Sequence, residues 1–273
     1  MKLVFGKALS VATAIAAVIF LFAFDILFEV NAPKVAYVPV SSSKISGGDD
    51  LKLVQISDVH GYPIASHKTM MGKISNFSPI AILLTGDVID RSTTDFSGSY
   101  EDIKALLNIA PVIFVTGNHE LANPEGRSFI SGLSDIGVTV LRNDSVAIRD
   151  GFVIAGIEDI HFGRDDIEKT MGGITAESFN ILLSHTPTIS GRLSDDGIVD
   201  LVLSGHTHGG QVRLPFFGAV FLPDDKMDPR LIKGLTELEN GVTVYTDSGF
   251  GTSVLPVRFM DRSQISFITI SGK

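Results

Sequence analysis

Two histidines one residue apart close the apolar run of Val202-Leu-Ser-Gly-His-Thr-His-Gly-Gly-Gln211. A strand sends alternate side chains to one face, so His206 and His208 can aim at one small volume where the strand breaks into a loop. That spacing suits a metal ion. Three earlier stretches are built the same way, each an apolar strand that ends in small residues and then a group able to bind a cation. They are Leu53-Val-Gln-Ile-Ser-Asp58-Val-His60, Ala81-Ile-Leu-Leu-Thr-Gly86-Asp87 and Val112-Ile-Phe-Val-Thr-Gly117-Asn118-His119-Glu120. Ile181-Leu-Leu-Ser-His185 repeats the pattern.

The candidate ligands are Asp58, His60, Asp87, Asn118, His185, His206 and His208. Imidazoles with carboxylates and an asparagine oxygen form a mixed nitrogen and oxygen set, suited to Mn, Fe, Zn or Co and poorly suited to a lone Ca2+. There are too many groups for one ion. They divide into two sites if one carboxylate bridges, and two ions about 3.5–4 Å apart can clamp both the attacking and the leaving oxygen of a displaced phosphoryl group. Asp87 is the best bridge, because its strand lies between the others in the expected order.

The elements that must bring these ends together follow from periodicity. A strand over 51–57 leads to the Asp58/His60 loop, and a helix over 66–77 places Met70, Ile74 and Phe77 on one face before Pro79 stops it. A strand over 80–85, a polar loop over 91–99, a helix over 100–109 and a strand over 112–116 follow. This alternation predicts a parallel sheet with helices on its faces and ligands at the carboxyl ends of its strands. Asn123-Pro124 reads as a helix start, leading to about Ile136. From Val138 the pattern changes to short strands over 138–141, 146–149 and 152–156, with a hairpin turn at Asp150-Gly151. This predicts a second sheet, with later strands over 180–184, 200–204, 242–246 and 264–270. The expected result is one α/β domain of two sheets flanked by helices.

Asp58-x-His60, Gly86-Asp87, Gly117-Asn118-His119-Glu120, His185 and Gly205-His206-Thr207-His208 resemble the five blocks of the calcineurin-like metallophosphoesterase superfamily, in order. Gly209-Gly-Gln-Val-Arg213-Leu-Pro and Ser248-Gly-Phe-Gly-Thr-Ser-Val-Leu-Pro256 are similar to its membrane-associated bacterial phosphodiesterase branch. The resemblance covers roughly residues 51–270 and is more specific for superfamily than for substrate. It implies a four-layer αββα sandwich of two mixed sheets. It further implies that Asp58, His60 and His208 hold one divalent ion, that Asn118, His185 and His206 hold the other, and that Asp87 bridges them. Manganese is the leading choice. A hydroxide between the ions would attack phosphorus in line. His119 would face the phosphate and stabilise charge or protonate the leaving oxygen, and Glu120 could hold its imidazole in one orientation.

Other residues are weighed beside these. His67 reads as a solvated surface residue. His161, after Glu158-Asp159, is a loop residue or a substrate contact. Arg213 could meet a phosphate oxygen with its planar fork or form a salt bridge on the rim. The apolar stretch Leu214-Pro-Phe-Phe-Gly-Ala-Val-Phe-Leu-Pro223 is either core or a loop whose Phe216 and Phe217 rest on lipid or receive an acyl chain.

The chain of 273 residues is 44% hydrophobic and 19% charged, globular with an apolar excess. Part of that excess is the uncharged run 8–24, which at about 1.5 Å per residue sits at the lower edge of what crosses a bilayer core of roughly 30 Å. Lys2 and Lys7 precede it and no small-x-small cleavage site follows. An uncleaved signal anchor over 1–30 is therefore favoured over a cleaved signal peptide or a buried helix. A polar linker over 31–50 and a catalytic domain over 51–273 would follow. The leading lysines favour an extracytoplasmic domain, although Lys34 and Lys44 leave the cytoplasmic face open. Absence of cysteine excludes a disulfide scaffold, and a net charge of −9 argues against duplex nucleic acid as a partner.

The expected function is a membrane-anchored two-metal phosphohydrolase, a phosphodiesterase or pyrophosphatase acting on a lipid- or nucleotide-linked phosphate, with membrane lipid as partner. One specific version is similar to the pyrophosphohydrolases of UDP-2,3-diacylglucosamine in lipid A synthesis, which would need the domain on the cytoplasmic face. A protein phosphatase is a weaker reading, since no regulatory domain or docking stretch is visible. The reading of another class is a non-catalytic scaffold of the same fold, disfavoured because every ligand position is filled.

Overall fold

The computed structural model describes residues 2–45, 50–220, 227–253 and 255–273, with side chains from residue 12 onward. A long helix α1 (Lys2–Asn31) leads into strands β1 (Lys34–Ser42) and β2 (Leu51–Ile56). Then come α2 (Lys68–Phe77), β3 (Ala81–Thr85), α3 (Ser97–Leu107), β4 (Val112–Val115), α4 (Asn118–Ala122), α5 (Gly126–Asp135) and β5 (Thr139–Val140). The second half holds β6 (Asp144–Arg149), β7 (Phe152–Gly156), α6 (Ile167–Met171), β8 (Phe179–Leu183) and β9 (Leu201–Ser204). It continues with β10 (Arg213–Leu214), β11 (Gly218–Ala219), β12 (Gly234–Glu237), β13 (Thr243–Thr246) and β14 (Gln264–Gly272).

Two six-stranded mixed sheets form, in the orders β1-β14-β2-β3-β4-β5 and β12-β13-β9-β8-β7-β6. Strands β2 to β5 run parallel, as do β13, β9, β8 and β7. Every residue of β3, β4, β8 and β9 is buried, because these strands have a sheet on one face and helices or turns on the other. Between the sheets, Leu53, Leu83, Ile113 and Val115 meet Ile154, Ile181, Leu183 and Leu203. The outer face of the first sheet is covered by Met70 and Ile74 of α2, Ile103 and Leu106 of α3, and Phe129 and Leu133 of α5. The second sheet is covered by α6, short 3-10 turns, and Met227, Leu231 and Ile232. This is the expected four-layer sandwich, and β3 lies between β2 and β4, the strand order from which Asp87 is expected to bridge.

Four expectations are corrected. The segment 31–50 is not a plain linker, for β1 runs parallel to β14 from Lys34 opposite Gln264 to Ser42 opposite Gly272. Pro39 and the polar residues obscured this strand, and an edge strand, bonded on one side, tolerates them. Strand β14 belongs to the first sheet, antiparallel to β2 with Ser266 opposite Gln55. Strand β5 also pairs in the first sheet, so the second begins at β6. Finally, α5 starts at Gly126, because Asn123 ends the short helix α4 and its Oδ1 accepts the Glu125 amide at 2.8 Å.

Helix α1 is seated by its last turns. Phe22 packs on Phe259 with ring centroids 5.1 Å apart, and the Arg262 guanidinium lies 4.5 Å from the Phe28 ring. The Ser263 amide donates to Glu29 O at 3.0 Å. Residues Ala12–Asn31 are long and apolar enough to cross a membrane by length and composition. Val18, Ile19, Phe20, Leu21 and Leu27 there are all more than 60% exposed, a surface that water does not favour.

Candidate metal centre

The first sheet and the second end on the same side, and their loops carry the candidate ligands. Five of those residues take a left-handed backbone: Asp58 (φ 51°), His60 (φ 49°), Asp87 (φ 53°), His206 (φ 69°) and His208 (φ 49°). Such conformations persist where the surroundings fix them. Here the Asp58 amide donates to Gly86 O at 3.1 Å, that of His60 to Asp87 O at 3.0 Å, and that of His206 to the Asp58 carboxylate at 3.1 Å. The preceding glycines are required by close approach. A Cβ on Gly86 would stand 2.6 Å from His185 Nδ1, and one on Gly205 would collide with Ser57 Oγ and Asp58 Oδ2.

Donor atoms gather in two groups that share one carboxylate. Asp58 Oδ1 lies 3.4 Å from His208 Nε2, and His60 Nε2 lies 3.2 Å from the same nitrogen. In the second group His185 Nε2 is 3.1 Å from Asp87 Oδ2, 3.1 Å from Asn118 Oδ1 and 3.2 Å from His206 Nδ1. Asp87 Oδ2 is also 3.9 Å from His60 Nε2. All seven residues expected from the sequence thus converge.

The donor set fits divalent cations. His60 Nε2 and His208 Nε2 face each other, so at most one proton lies between them and at least one of the two nitrogens is unprotonated. Burial, then His60 and Arg258, hold His208 well below its ordinary pKa. His206 is likewise lowered, to about 3, by burial and by His185, so both rings are neutral at pH 7, the form in which an imidazole can bind a cation. Burial pushes the Asp58 carboxyl up, His185 pulls it down, and Asp87 adds to the rise. Asp87 is buried too, yet His185 keeps it well below the usual carboxylate range. Against its own desolvation, Asp87 raises the pKa of His185 well above the ordinary value. Two buried carboxylates, Asp58 and Asp87, therefore lean on imidazoles, a charge arrangement that a cation relieves.

His119 stands at the rim, its Nε2 4.0 Å from Asp87 Oδ2 and its ring edge-on to His60 with centroids 4.7 Å apart. Glu120 does not hold that ring. Its carboxylate accepts the amides of Asp87 (2.9 Å), Val88 (2.6 Å), Ile89 (3.1 Å) and Gly117 (2.8 Å), tying the β3 loop to the β4 loop. The orienting role belongs to Asp90, whose Oδ1 meets His119 Nδ1 at 3.1 Å and His60 Nδ1 at 2.8 Å. Arg91 Nη2 lies 3.3 Å from His119 Nε2. The signal for Asp90 was a second carboxylate three residues after Asp87, which the sequence reading left unused.

His161 does enter the centre: its ring lies 4.8 Å from that of His206 and its Nδ1 contacts Asp159 Oδ1 at 2.9 Å. Among the described residues Arg213 forms no salt bridge; its Nη1 donates to Gly209 O at 2.8 Å, bracing the loop after His208. Phe216 and Phe217 are not core, being 105% and 86% exposed at the tip of the β10–β11 hairpin. Residues 221–223 of that apolar stretch lie outside the described residues. His67 is half-buried, edge-on to Phe250 with centroids 5.4 Å apart, rather than freely solvated. Two buried groups were missed altogether. Arg258 donates to the carbonyls of Ser248, Gly249, Gly251 and Asp261, and Asp247 accepts from Gly249 and Gln264.

Residues 51–210 match the family model of the calcineurin-like phosphoesterases, and the chain belongs to that family. It is a metal-dependent phosphoesterase, whose family uses divalent metals at a site with His and Asp ligands. The chain is 32% identical over 251 residues to an uncharacterized metallophosphoesterase, YkuE, of Bacillus subtilis, covering 85% of this chain and 84% of that protein. It is 28% identical to a transmembrane protein with metallophosphoesterase domain of Danio rerio, covering 87% of this chain and 57% of that longer protein. Among solved structures, a dimetal phosphatase from Danio rerio superposes with a TM-score of 0.44 at 11% identity, over 73% of this chain and 87% of that one.

Proposed function

We propose that the chain is a membrane-anchored phosphohydrolase with two divalent ions, manganese first among Mn, Fe, Zn and Co, that cleaves a lipid- or nucleotide-linked phosphodiester or pyrophosphate. The observation that carries this reading is Asp87 Oδ2, one oxygen facing His185 Nε2 at 3.1 Å and His60 Nε2 at 3.9 Å. Asp58, His60 and His208 would hold one ion, Asn118, His185 and His206 the other. Bound ions supply Lewis acidity toward phosphoryl oxygens and a water of lowered pKa.

The chain's own residues supply the rest. His119, held at Nδ1 by Asp90 and with its Nε2 beside Arg91, would stabilise charge on the phosphate, and would protonate the leaving oxygen once Arg91 gives up its contact with Nε2. Arg91 brings a fixed positive charge beside it. Two features favour a lipid-linked substrate. The end of α1 and the start of β1 lie at the same edge of the first sheet as the carboxyl end of β2, which leads to Asp58. Phe259, which carries Phe22 of α1, also pairs with Gln211 and Arg213, from which the Phe216/Phe217 hairpin springs. The centre would then open toward the bilayer.

The test is turnover of the full chain with Mn2+ on chromogenic diester and monoester substrates, together with metal content per chain. The expected result is diester hydrolysis with two ions, abolished in Asp87→Ala. Wild-type turnover in that variant, or one ion per active chain, would overturn the reading.

A further inference from the structure

A second basin lies apart from the metal centre, where α1 meets the domain. It is a cavity of about 500 Å3, lined by Asn31 at the end of α1 and Pro33 after it, by His67, Lys68 and Lys73 on and just before α2, and by Arg262. This is within the roughly 300–1,000 Å3 range of ligand pockets. Among the described residues, no aspartate or glutamate lines it, in a chain whose net charge is −9. None of the candidate metal ligands lines it either.

Its cations are available. Among the described residues, Lys68 and Lys73 have no carboxylate within ion-pair distance, and both are exposed at the rim. Arg262, which lines the cavity, is fixed by donating its Nε–H to Ala32 O and by lying over Phe28, and among the described residues it has no carboxylate within ion-pair distance. Unopposed cations around a concave surface focus a positive field where a phosphate would be drawn in.

The position of the cavity selects the source of that phosphate. Ala12–Asn31 at about 1.5 Å per residue is about as long as a bilayer core is thick. If α1 spans, Asn31 and Pro33 stand where hydrocarbon gives way to headgroups. We infer that this cavity binds the phosphate headgroup of an anionic membrane phospholipid, holding the domain at a fixed height and tilt on the bilayer. This rests on the membrane-anchored reading of α1 and adds a lipid site separate from the catalytic one. The lipid bound here is a ligand and is not cleaved.

The full chain in neutral detergent micelles is titrated with dihexanoyl phosphatidylglycerol, dihexanoyl phosphatidylcholine and inorganic phosphate, with bound adducts counted by native mass spectrometry. The expected result is a preference for phosphatidylglycerol over both others. Lys68→Gln with Lys73→Gln should weaken it about 25-fold, on roughly 5-fold per lysine near an anionic lipid, while Lys104→Gln on α3 leaves it unchanged. Equal binding of the two lipids, or a preference that survives the double substitution, would overturn the headgroup site. Inorganic phosphate binding as tightly as the lipid would overturn it in favour of a free-anion site. Alkaline carbonate extraction of membranes reads α1 separately. Release of the chain would overturn the spanning reading even if the headgroup preference held, and loss of preference in a chain that stays with the membrane overturns the cavity alone.

Discussion

His60 and His208 turn their Nε2 atoms toward each other at 3.2 Å, from loops at the ends of strands in different sheets. One N–H···N hydrogen bond fills that contact without metal, and a shared cation would take both nitrogens as donors. Added Mn2+ should raise the melting temperature by roughly 5–10 °C at a hundredfold excess over Kd, and His208→Ala should lose most of that rise. The gain should shrink on acidification, because the raised pKa of His185 makes protons compete for its Nε2. Differential scanning calorimetry with and without chelator at several pH values checks this. A metal-independent melting temperature would contradict it.

Asp90 governs two rings at once. Against the push of partial burial, hydrogen bonds from His119 and His60 hold its carboxyl well below the usual range. Asp90→Ala should weaken metal binding by 10–100-fold, as loss of a group that orients a ligand does. Turnover should stay low even at saturating metal, because His119 is then unheld. Full recovery of kcat at high Mn2+ would leave Asp90 with a ligand-orienting role only.

Gly86 precedes the shared carboxylate with φ +87°, and a Cβ there would meet His185 Nδ1 at 2.6 Å and Gly117 backbone at 2.7 Å. Gly86→Ala should cost about 1–3 kcal/mol of stability from backbone strain. Displacement of His185 should add a loss of metal affinity, seen by titration at a temperature where the variant remains folded.

Asp247 is a buried carboxyl whose pKa burial raises from 3.8 to about 6. The folded state holds its proton more tightly than the unfolded one, so its contribution is fully present below pH 3.8 and is lost as pH rises through about 6. The change amounts to about 3 kcal/mol at 1.36 kcal/mol per pH unit. In chelator-treated protein, the melting temperature of Asp247→Asn relative to wild type should therefore climb from pH 4 to pH 7. A difference that does not vary with pH would show that Asp247 titrates alike in both states.

Phe216 and Phe217 are almost wholly exposed, and burying such rings in lipid is favourable by about 1.5–3 kcal/mol each. Charging both, as Phe216→Glu with Phe217→Glu, should cut turnover of a diester presented in vesicles at least tenfold and leave a soluble chromogenic diester untouched. Equal effects on both substrates would place the hairpin in catalysis itself.

The sequence determined the chemistry. Each candidate ligand lies just after an apolar strand, so Asp58, His60, Asp87, Asn118, His185, His206 and His208 could be singled out from local pattern, as could the strands that carry them. Only the tertiary structure decided which distant groups touch. That Glu120 serves four amides and Asp90 serves two imidazoles depends on how the β3 and β4 loops fold back on each other, and neighbouring carboxylates look alike in a sequence. The pairing of β1 with β14 joins residues more than two hundred positions apart and turns an apparent linker into an edge strand. That pairing also places the end of α1 at the catalytic edge, because strand direction and sheet order are set by hydrogen bonds between strands, which no local periodicity encodes.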